Sequence, residues 1–430
     1  MKKVLIISYY WPPSGGAGVQ RWLKFAKYLP EYNIQPFVLT VDPKYASYPI
    51  LDNSLEKEVS DGVQVFKTKS REPFTFYKKI TGEREIPYAG FVNQGNPGFL
   101  NKISRAIRGN FFIPDARIGW NKFAFRKALD IIREHKINTV ITTSPPHSTQ
   151  LIGLKLKKKT GVNWIADLRD PWTDIYYYNK LYHSIPAKKL DEKYERNVLT
   201  SADWVIVVSL HMKEMLANKV FPLIDHKIKV IPNGFDEDDF TMPAENTTEK
   251  FIITYTGTLT EEYDSYSFLQ AISTIIKKSQ TPVVLQFVGL VSRQVKRNIE
   301  QFDLQQSTIY IDHVSHQEAL TYMMKSTILF LAIPHKRGNK AILSGKLFEY
   351  IATGKPVIGI GPVHGDASAI LKECERGRMF DYKDLQGIIS YLLEIIQVWR
   401  KNSENLVNTN EAYQKYSRKS LTGELTAIID

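Results

Sequence analysis

Short apolar runs alternating with helically spaced apolar residues constrain this chain more than any other feature of it. Val4–Ser8 is such a run, and a glycine-rich turn, Ser14–Gly18, follows it. Trp22, Leu23, Phe25, Ala26 and Leu29 then recur at helical spacing, and the next run is Ile34–Val41. A strand joined through a helix to another strand implies parallel pairing, which needs helices on both faces of the sheet. The pattern continues at Thr139–Thr143, Trp164–Asp167, Trp204–Val208 and Ile228–Ile231. It resumes at Phe251–Tyr255, Val283–Val288, Thr308–Ile311, Ile328–Ala332 and Pro356–Ile360, and Leu385–Arg400 onward reads as helices. The expected class is α/β, with doubly wound sheets.

The two series are separated by Asp236–Glu249, which is acidic and then rich in Pro, Thr and Asn, with no periodicity. That reads as a linker. At 430 residues the chain exceeds one ordinary core. The expected organisation is a first domain over residues 1–236, a linker over 237–250 and a second domain over 251–411. A last helix, about 412–430, is expected to pack back on the first domain. Such sheets bind ligands at the carboxyl ends of their strands, so two of them would face a central cleft. Gly257, Gly289 and Gly361 each follow a strand, where such ligand loops gather.

Composition narrows the classes. Hydrophobic content of 43% with 24% charged residues is globular rather than disordered. The one cysteine, Cys374, rules out a disulfide framework or a cysteine-rich metal site. The start, MKKVLIISYYWPP, has an apolar core, Val4–Ile7, too short for a signal peptide, and no run approaches the ~18 residues of a membrane span. A cytoplasmic protein is expected, in solution or on the inner face of the membrane. The net charge of +12 suits nucleic acid, anionic lipid or a phosphorylated substrate, or it serves solubility alone.

The stretch SGKLFEYIATGKPVIGIG, Ser344–Gly361, places a lysine and a glutamate in the opening turns of a helix. Ser344 is a suitable N-cap and Gly354 a suitable stop. Lys346 and Glu349 share a face. Free N–H groups at a helix start plus a lysine make a phosphate site, and a carboxylate one turn on can accept from a ribose diol. The competing reading is an exposed Lys–Glu pair.

SGKLFEYIATGKPVI closely resembles the donor-site motif of the retaining glycosyltransferases of family four (glycosyl transferases group 1), which have the GT-B fold. PPSGGAGVQR resembles that family's first glycine loop, DLRDPW (Asp167–Trp172) its acceptor-side strand end, VIPNGFDEDDF (Val230–Phe240) its approach to the linker, and YTGTL (Tyr255–Leu259) the loop after the first strand of its second domain. The resemblance implies two Rossmann-like domains about a central cleft, and transfer of a sugar from a nucleotide-diphosphate sugar to a glycan or lipid-linked hydroxyl, with retention. It implies that Glu349 binds ribose and that Lys346 with the Ser344 and Gly345 amides binds diphosphate. Gly16, Gly257, Thr258, Gly289 and Val314 complete the expected donor side. Two positions depart from the family: Ala341 stands where many members have a second glutamate, and Thr258, Glu261 and Glu262 follow Gly257 where many have a basic pair. Arg21, Arg293 and Lys340 are further candidates for phosphate charge.

Asp167, Arg169 and Asp170 either cap a turn before Pro171 or contact the acceptor, with Arg21 beside them. His147, in SPPHS, is either a loop capping residue or a hydrogen-bond partner of the transferred sugar. The expected catalytic set is therefore Lys346, Glu349, His147 and Asp170. Gly15-Gly16-Ala17-Gly18 with Asp42 also imitates a dinucleotide fingerprint, which would make the chain an oxidoreductase. Arg21 replaces the third glycine, however, and Asp42 lies beyond the usual offset. Asp236-Glu237-Asp238-Asp239 invites a metal reading, but its place in a linker and the absence of zinc spacing favour solvated carboxylates. No cofactor and no obligatory metal are expected.

Arg71–Trp120 is an aromatic and basic insertion. Within it Ile103, Ile107 and Phe111 step by four among Lys102, Arg105 and Arg108, a basic amphipathic helix. It docks on its own domain or meets an anionic membrane. A module binding nucleic acid or membrane without catalysis is the reading from another class, but no aromatic-basic motif supports nucleic acid.

Overall fold

The computed structural model describes residues 1–72, 99–220, 225–240, 250–279, 281–312, 314–401 and 406–429. The chain separates into two units, Met1–Pro232 with Leu421–Asp430, and Asn233–Ser420. The division falls at Pro232 rather than at the expected residue 236, and the return comes at Leu421 rather than near residue 412.

The first unit is one parallel sheet: β1 (Lys2–Ile7), β2 (Ile34–Val41), β3 (Gln64–Thr68), β4 (Thr139–Ser144), β5 (Asn163–Leu168), β6 (Trp204–Val207) and β7 (Ile228–Val230). Their order is β3-β2-β1-β4-β5-β6-β7. Its helices are α1 (Ala17–Tyr28), α2 (Phe99–Phe111), α3 (Asn121–His135), α4 (Ser148–Thr160), α5 (Ile185–Ser201) and α6 (Leu210–Lys219). Strand side chains alternate between faces, so the buried part of β1, Val4–Ile7, needs apolar residues at every position. Val4 and Ile6 join Trp22, Phe25 and Ala26 of α1 on one face, together with Leu421, Leu425, Ile428 and Ile429. Leu5 and Ile7 join Ala124, Ala128 and Ile131 of α3 on the other.

The second unit repeats the plan with β8 (Phe251–Thr256), β9 (Val283–Val288), β10 (Thr308–Ile311), β11 (Ile328–Ala332), β12 (Val357–Ile360) and β13 (Gly377–Phe380). Their order is β10-β9-β8-β11-β12-β13, again parallel. Its helices are α7 (Tyr266–Ser279), α8 (Arg293–Gln301), α9 (His316–Met324), α10 (Gly345–Ala352), α11 (Asp366–Glu373) and α12 (Leu385–Lys401). A last helix, α13 (Arg418–Thr426), leads back into the first unit. Ile328 and Phe330 of β11 pack with α7 and α12, while Leu329 and Leu331 pack with Leu347, Phe348 and Ile351 of α10. Each sheet reverses its strand order once, at β1/β4 and at β8/β11. Ligands of open α/β sheets gather outside the carboxyl ends of such a pair.

Three expectations change here. The edge strands β3 and β13 were not anticipated. The acidic run is not simply solvated: Asp236 is buried, Glu237–Phe240 forms one 3-10 turn, and Phe235 packs into the second unit's core. Residues 241–249, the rest of the expected linker, lie outside the described residues. Finally, α2 is turned the other way from a basic membrane face. Arg105 is buried and Arg108 half-buried, while Ile107 and Phe111 are 48% and 78% exposed. Burial holds the Arg108 pKa down to about 10. The side chains of Lys102 and Ile103, and residues 73–98 of the insertion, lie outside the described residues.

Candidate active site

Apart from Gly16, the donor residues nominated from the sequence lie in the second unit. Strand β8 runs into Gly257, whose φ of 90° suits glycine and whose amide donates to the Val288 carbonyl at 2.7 Å. A Cβ at Gly257 would lie 2.9 Å from Cε of Lys346, so the lysine stem lies across the bare turn. The Lys346 amine donates to the Tyr255 hydroxyl at 2.7 Å and sits 4.1 Å from the centre of that ring. Tyr255 in turn donates to the Thr258 carbonyl at 2.8 Å, which ties down the glycine loop. Burial pushes the Lys346 amine down to about 7, against the pull of Glu349. A lysine so placed gains from any anion that arrives beside it.

Ser344 occupies the N-cap position of α10, yet its side chain caps nothing. Its hydroxyl is buried with no hydrogen-bond partner among the described residues. Space is open beside Gly345, where a Cβ would meet nothing within 4 Å. A helix start with free amides, an unpartnered hydroxyl and a lysine amine is a cradle for phosphate oxygens. One turn on, Glu349 is held by a residue the sequence reading missed: Nε2 of His316 lies 3.0 Å from its Oε1. Ser315-x-x-Glu318 is a capping box that starts α9 just beyond β10. That signal would have placed His316 in a ligand loop. Val314 lies in the same loop and Gly289 just after β9, its amide bonded to Ile311. Arg293 and Lys340 are exposed at the start of α8 and in the turn Asn339–Ala341, which also holds Ala341. Glu262 pairs with Lys336 and Asp264 with His335.

The first unit's nominees divide into two groups. Asp167, with no exposed surface, accepts from Arg21 at 3.0 Å, Trp22 Nε1 at 2.7 Å and the Thr143 hydroxyl at 2.7 Å. Arg21 spends its other terminal nitrogen on the Pro232 carbonyl at 2.6 Å. This corrects the expectation that Asp167 and Arg21 face an acceptor or a phosphate: both are committed within the core. Arg169 donates to the carbonyls of Ser144 and Pro145, each at 3.1 Å. A side chain at Gly18 would collide with its guanidinium, so the first glycine loop makes room for arginine. Asp170 is half-buried, and burial raises its pKa against the pull of Arg169. His147 stacks on Trp172 with ring centres 4.7 Å apart. Burial, with Arg169 and Lys219 adding to it, drops its pKa to about 3, so the ring is neutral. Its Nδ1 has no hydrogen-bond partner among the described residues. Gly16 precedes α1 with φ 97°. Asp42 caps the turn Pro43–Tyr45 by accepting from the Lys44 amide at 3.0 Å, a structural task.

Among the described residues no group of three His, Cys, Asp or Glu side chains is placed to hold a metal ion. None of their helices is long and apolar enough to cross a membrane.

Two parallel sheets of this order, each flanked by helices, are two Rossmann-like units, and the comparisons give the family. Residues 88–239 match the family model described as Glycosyltransferase Family 4, and residues 250–397 match Glycosyl transferases group 1. No curated protein matches the sequence. A glycosyltransferase from Rickettsia africae is 16% identical with TM-score 0.62, covering 100% of this chain and 97% of that one. A TarM variant from S. aureus, in complex with Fondaparinux, alpha-GlcNAc-glycerol and UDP, is 11% identical with TM-score 0.62 and full coverage of both chains. HepE from Anabaena, in complex with UDP and glucose, is 13% identical with TM-score 0.59, covering 99% of each. At these identities the structures establish the fold alone. With the family models, they place the chain among the group 1 glycosyltransferases of family-four type, with the GT-B fold. It is an enzyme that transfers sugar. The oxidoreductase reading is thereby overturned.

Proposed function

We propose that this glycosyltransferase takes its sugar from a nucleotide-diphosphate sugar held by the second unit. It passes the sugar, with retention, to a hydroxyl of a glycan or lipid-linked acceptor in cell-surface polysaccharide synthesis. The observation that carries this is the cradle at α10: the Lys346 amine over the Gly257 turn, the unpartnered Ser344 hydroxyl, and Glu349 one turn further. The diphosphate oxygens meet Lys346 and the Ser344–Gly345 amides, and the ribose diol meets Glu349. As the sugar–phosphate bond breaks, charge grows on the leaving diphosphate, and donors already aimed there stabilise it. Retention follows from attack on the face the diphosphate leaves, its oxygen taking the acceptor proton. His147, held neutral, offers Nδ1 to a hydroxyl of the transferred sugar. Asp170 and Arg169 serve the acceptor side.

Lys346 and the start of α10 supply positive charge where other transferases use a metal ion, so no metal is required. A lipid-linked acceptor places the protein at the inner face of the membrane. The exposed Ile107 and Phe111 of α2 and the +12 net charge support that location. The solved relatives hold UDP with glucose or a GlcNAc glycoside, which makes UDP-hexoses and UDP-N-acetylhexosamines the first donors to try. The test is mass spectrometry and anomeric NMR of products from a nucleotide-sugar panel, with and without EDTA. The expected result is an α-linked product from an α-linked donor, formed equally in EDTA. Neither cleavage nor transfer with any donor would sink the donor assignment, cleavage to free sugar without transfer would sink the acceptor assignment, and inversion would sink retention. Loss in EDTA restored by Mg²⁺ or Mn²⁺ would sink the metal-free reading.

A further inference from the structure

The Glu349 carboxylate makes one hydrogen bond among the described residues, to His316. That histidine comes from a different element. It is the first residue of α9, and its backbone is set by the capping box: the Ser315 amide donates to Glu318 at 2.9 Å, and the Glu318 amide donates back to the Ser315 hydroxyl at 3.3 Å. The ring therefore projects from a fixed helix start toward a glutamate 33 residues later in the chain. A glutamate left alone spreads over several rotamers, and ordering it is a cost that binding must bear. Held through Oε1, the carboxylate keeps Oε2 and the second lone pair of Oε1 for two hydroxyl donors, the number a ribose diol presents.

We infer that His316 is a positioning residue of the donor site, holding the Glu349 carboxylate in place for the ribose hydroxyls and doing so as a cation. This rests on the assignment of Glu349 to ribose. The charged groups facing His316 are Glu349 of α10, Asp239 of the turn Glu237–Phe240 and Arg418 at the start of α13. Burial disfavours the charged ring and Arg418 opposes it too, but the hydrogen bond and charge of Glu349, with Asp239, outweigh them and lift its pKa above the ordinary value. The protonated share is full at low pH and is lost as pH rises through that lifted value. The part of nucleotide affinity that depends on the cation is lost with it.

The experiment measures affinity of the full chain for UDP, GDP and ADP by calorimetry across pH 5.5–9, in wild type, His316→Gln, His316→Ala and Glu349→Ala. Glutamine keeps a neutral donor near the Nε2 position, so it mimics the uncharged histidine. The wild type should bind the preferred nucleotide about tenfold more tightly than His316→Gln at the acid end, the two converging at the alkaline end. His316→Ala should be weaker than His316→Gln throughout. Turnover at saturating donor should change far less than KM. A wild-type to His316→Gln ratio independent of pH, or a His316→Ala variant that binds as wild type, overturns the inference. If Glu349→Ala binds as wild type, or no nucleotide binds the wild type, the ribose assignment itself falls. If Glu349→Ala is weak while both His316 variants are normal, only the role of His316 falls.

Discussion

Both sheets bring charged side chains to the carboxyl ends at their strand reversal, and they treat them in opposite ways. In the first unit the Asp167 carboxylate is saturated. It takes an arginine, an indole and a hydroxyl, and its own backbone carbonyl takes the Gln150 amide at 2.8 Å. In the second unit the polar groups are under-supplied. Among the described residues the Ser344 hydroxyl has no partner, the Lys346 amine rests on a tyrosine, and the Glu349 carboxylate has one hydrogen bond. Burial of a polar group costs free energy unless it is bonded, so saturation marks a charge that holds the fold together. A deficit marks a group that is completed by something else.

The largest test of that contrast is Asp167→Ala. Removing one side of a buried pair leaves Arg21, Trp22 and Thr143 without it, at a cost of about 3–5 kcal/mol. For a unit of this size that is on the order of 10 °C in melting temperature. A variant that melts normally but loses turnover would make Asp167 a site residue and break the comparison. Lys346→Met should show the reverse. Turnover should drop on the order of a hundredfold, roughly 3 kcal/mol, with melting unchanged or raised because a desolvated amine is gone. Its pH behaviour sharpens the point. A depressed lysine is charged below its pKa and neutral above, so kcat/KM should fall as pH rises through about 7. Lys346→Arg should make that fall much shallower, and an unchanged profile would assign it to another group. The smallest expected effect concerns α2, where charge is turned in and apolar surface out. Ile107→Ser with Phe111→Ser should weaken binding to anionic vesicles about fivefold, the loss of roughly 1 kcal/mol of partly embedded apolar surface. Cosedimentation identical to wild type would remove α2 from any membrane contact.

What could be read in the sequence was local. The interior strands were legible because burial on two faces demands unbroken apolar residues. β3, with QVFKT, and β13, with GRMF, escaped because each holds only two apolar residues, Val65 and Phe66 or Met379 and Phe380, beside polar and charged ones, whereas the other two edge strands, β7 and β10, could be read. The grouping of Ser344, Lys346 and Glu349 was legible because they lie within six residues, so helix geometry alone sets them together. His316–Glu349 and Arg21–Asp167 are pairings made by the fold across 33 and 146 residues, and spacing carries no information about them. The period of α2 identified two faces but not which one turns inward. That was decided by the backbone at 181–184, where Asn110 bonds the Tyr182 carbonyl and the Ser184 amide.

The first unit's sheet face is completed by Leu421, Leu425, Ile428 and Ile429, residues made after the whole of Asn233–Ser420. At a synthesis rate of about 5–20 residues per second, the N-terminal portion waits roughly ten to forty seconds with that face uncovered. During that interval Val4, Ile6 and Trp22 lack part of their cover, while the second unit has all of its own residues and is able to close. Biogenesis therefore runs against the order of the gene. The half translated first matures last, and the wait is a window in which a chaperone competes with aggregation for the exposed sheet.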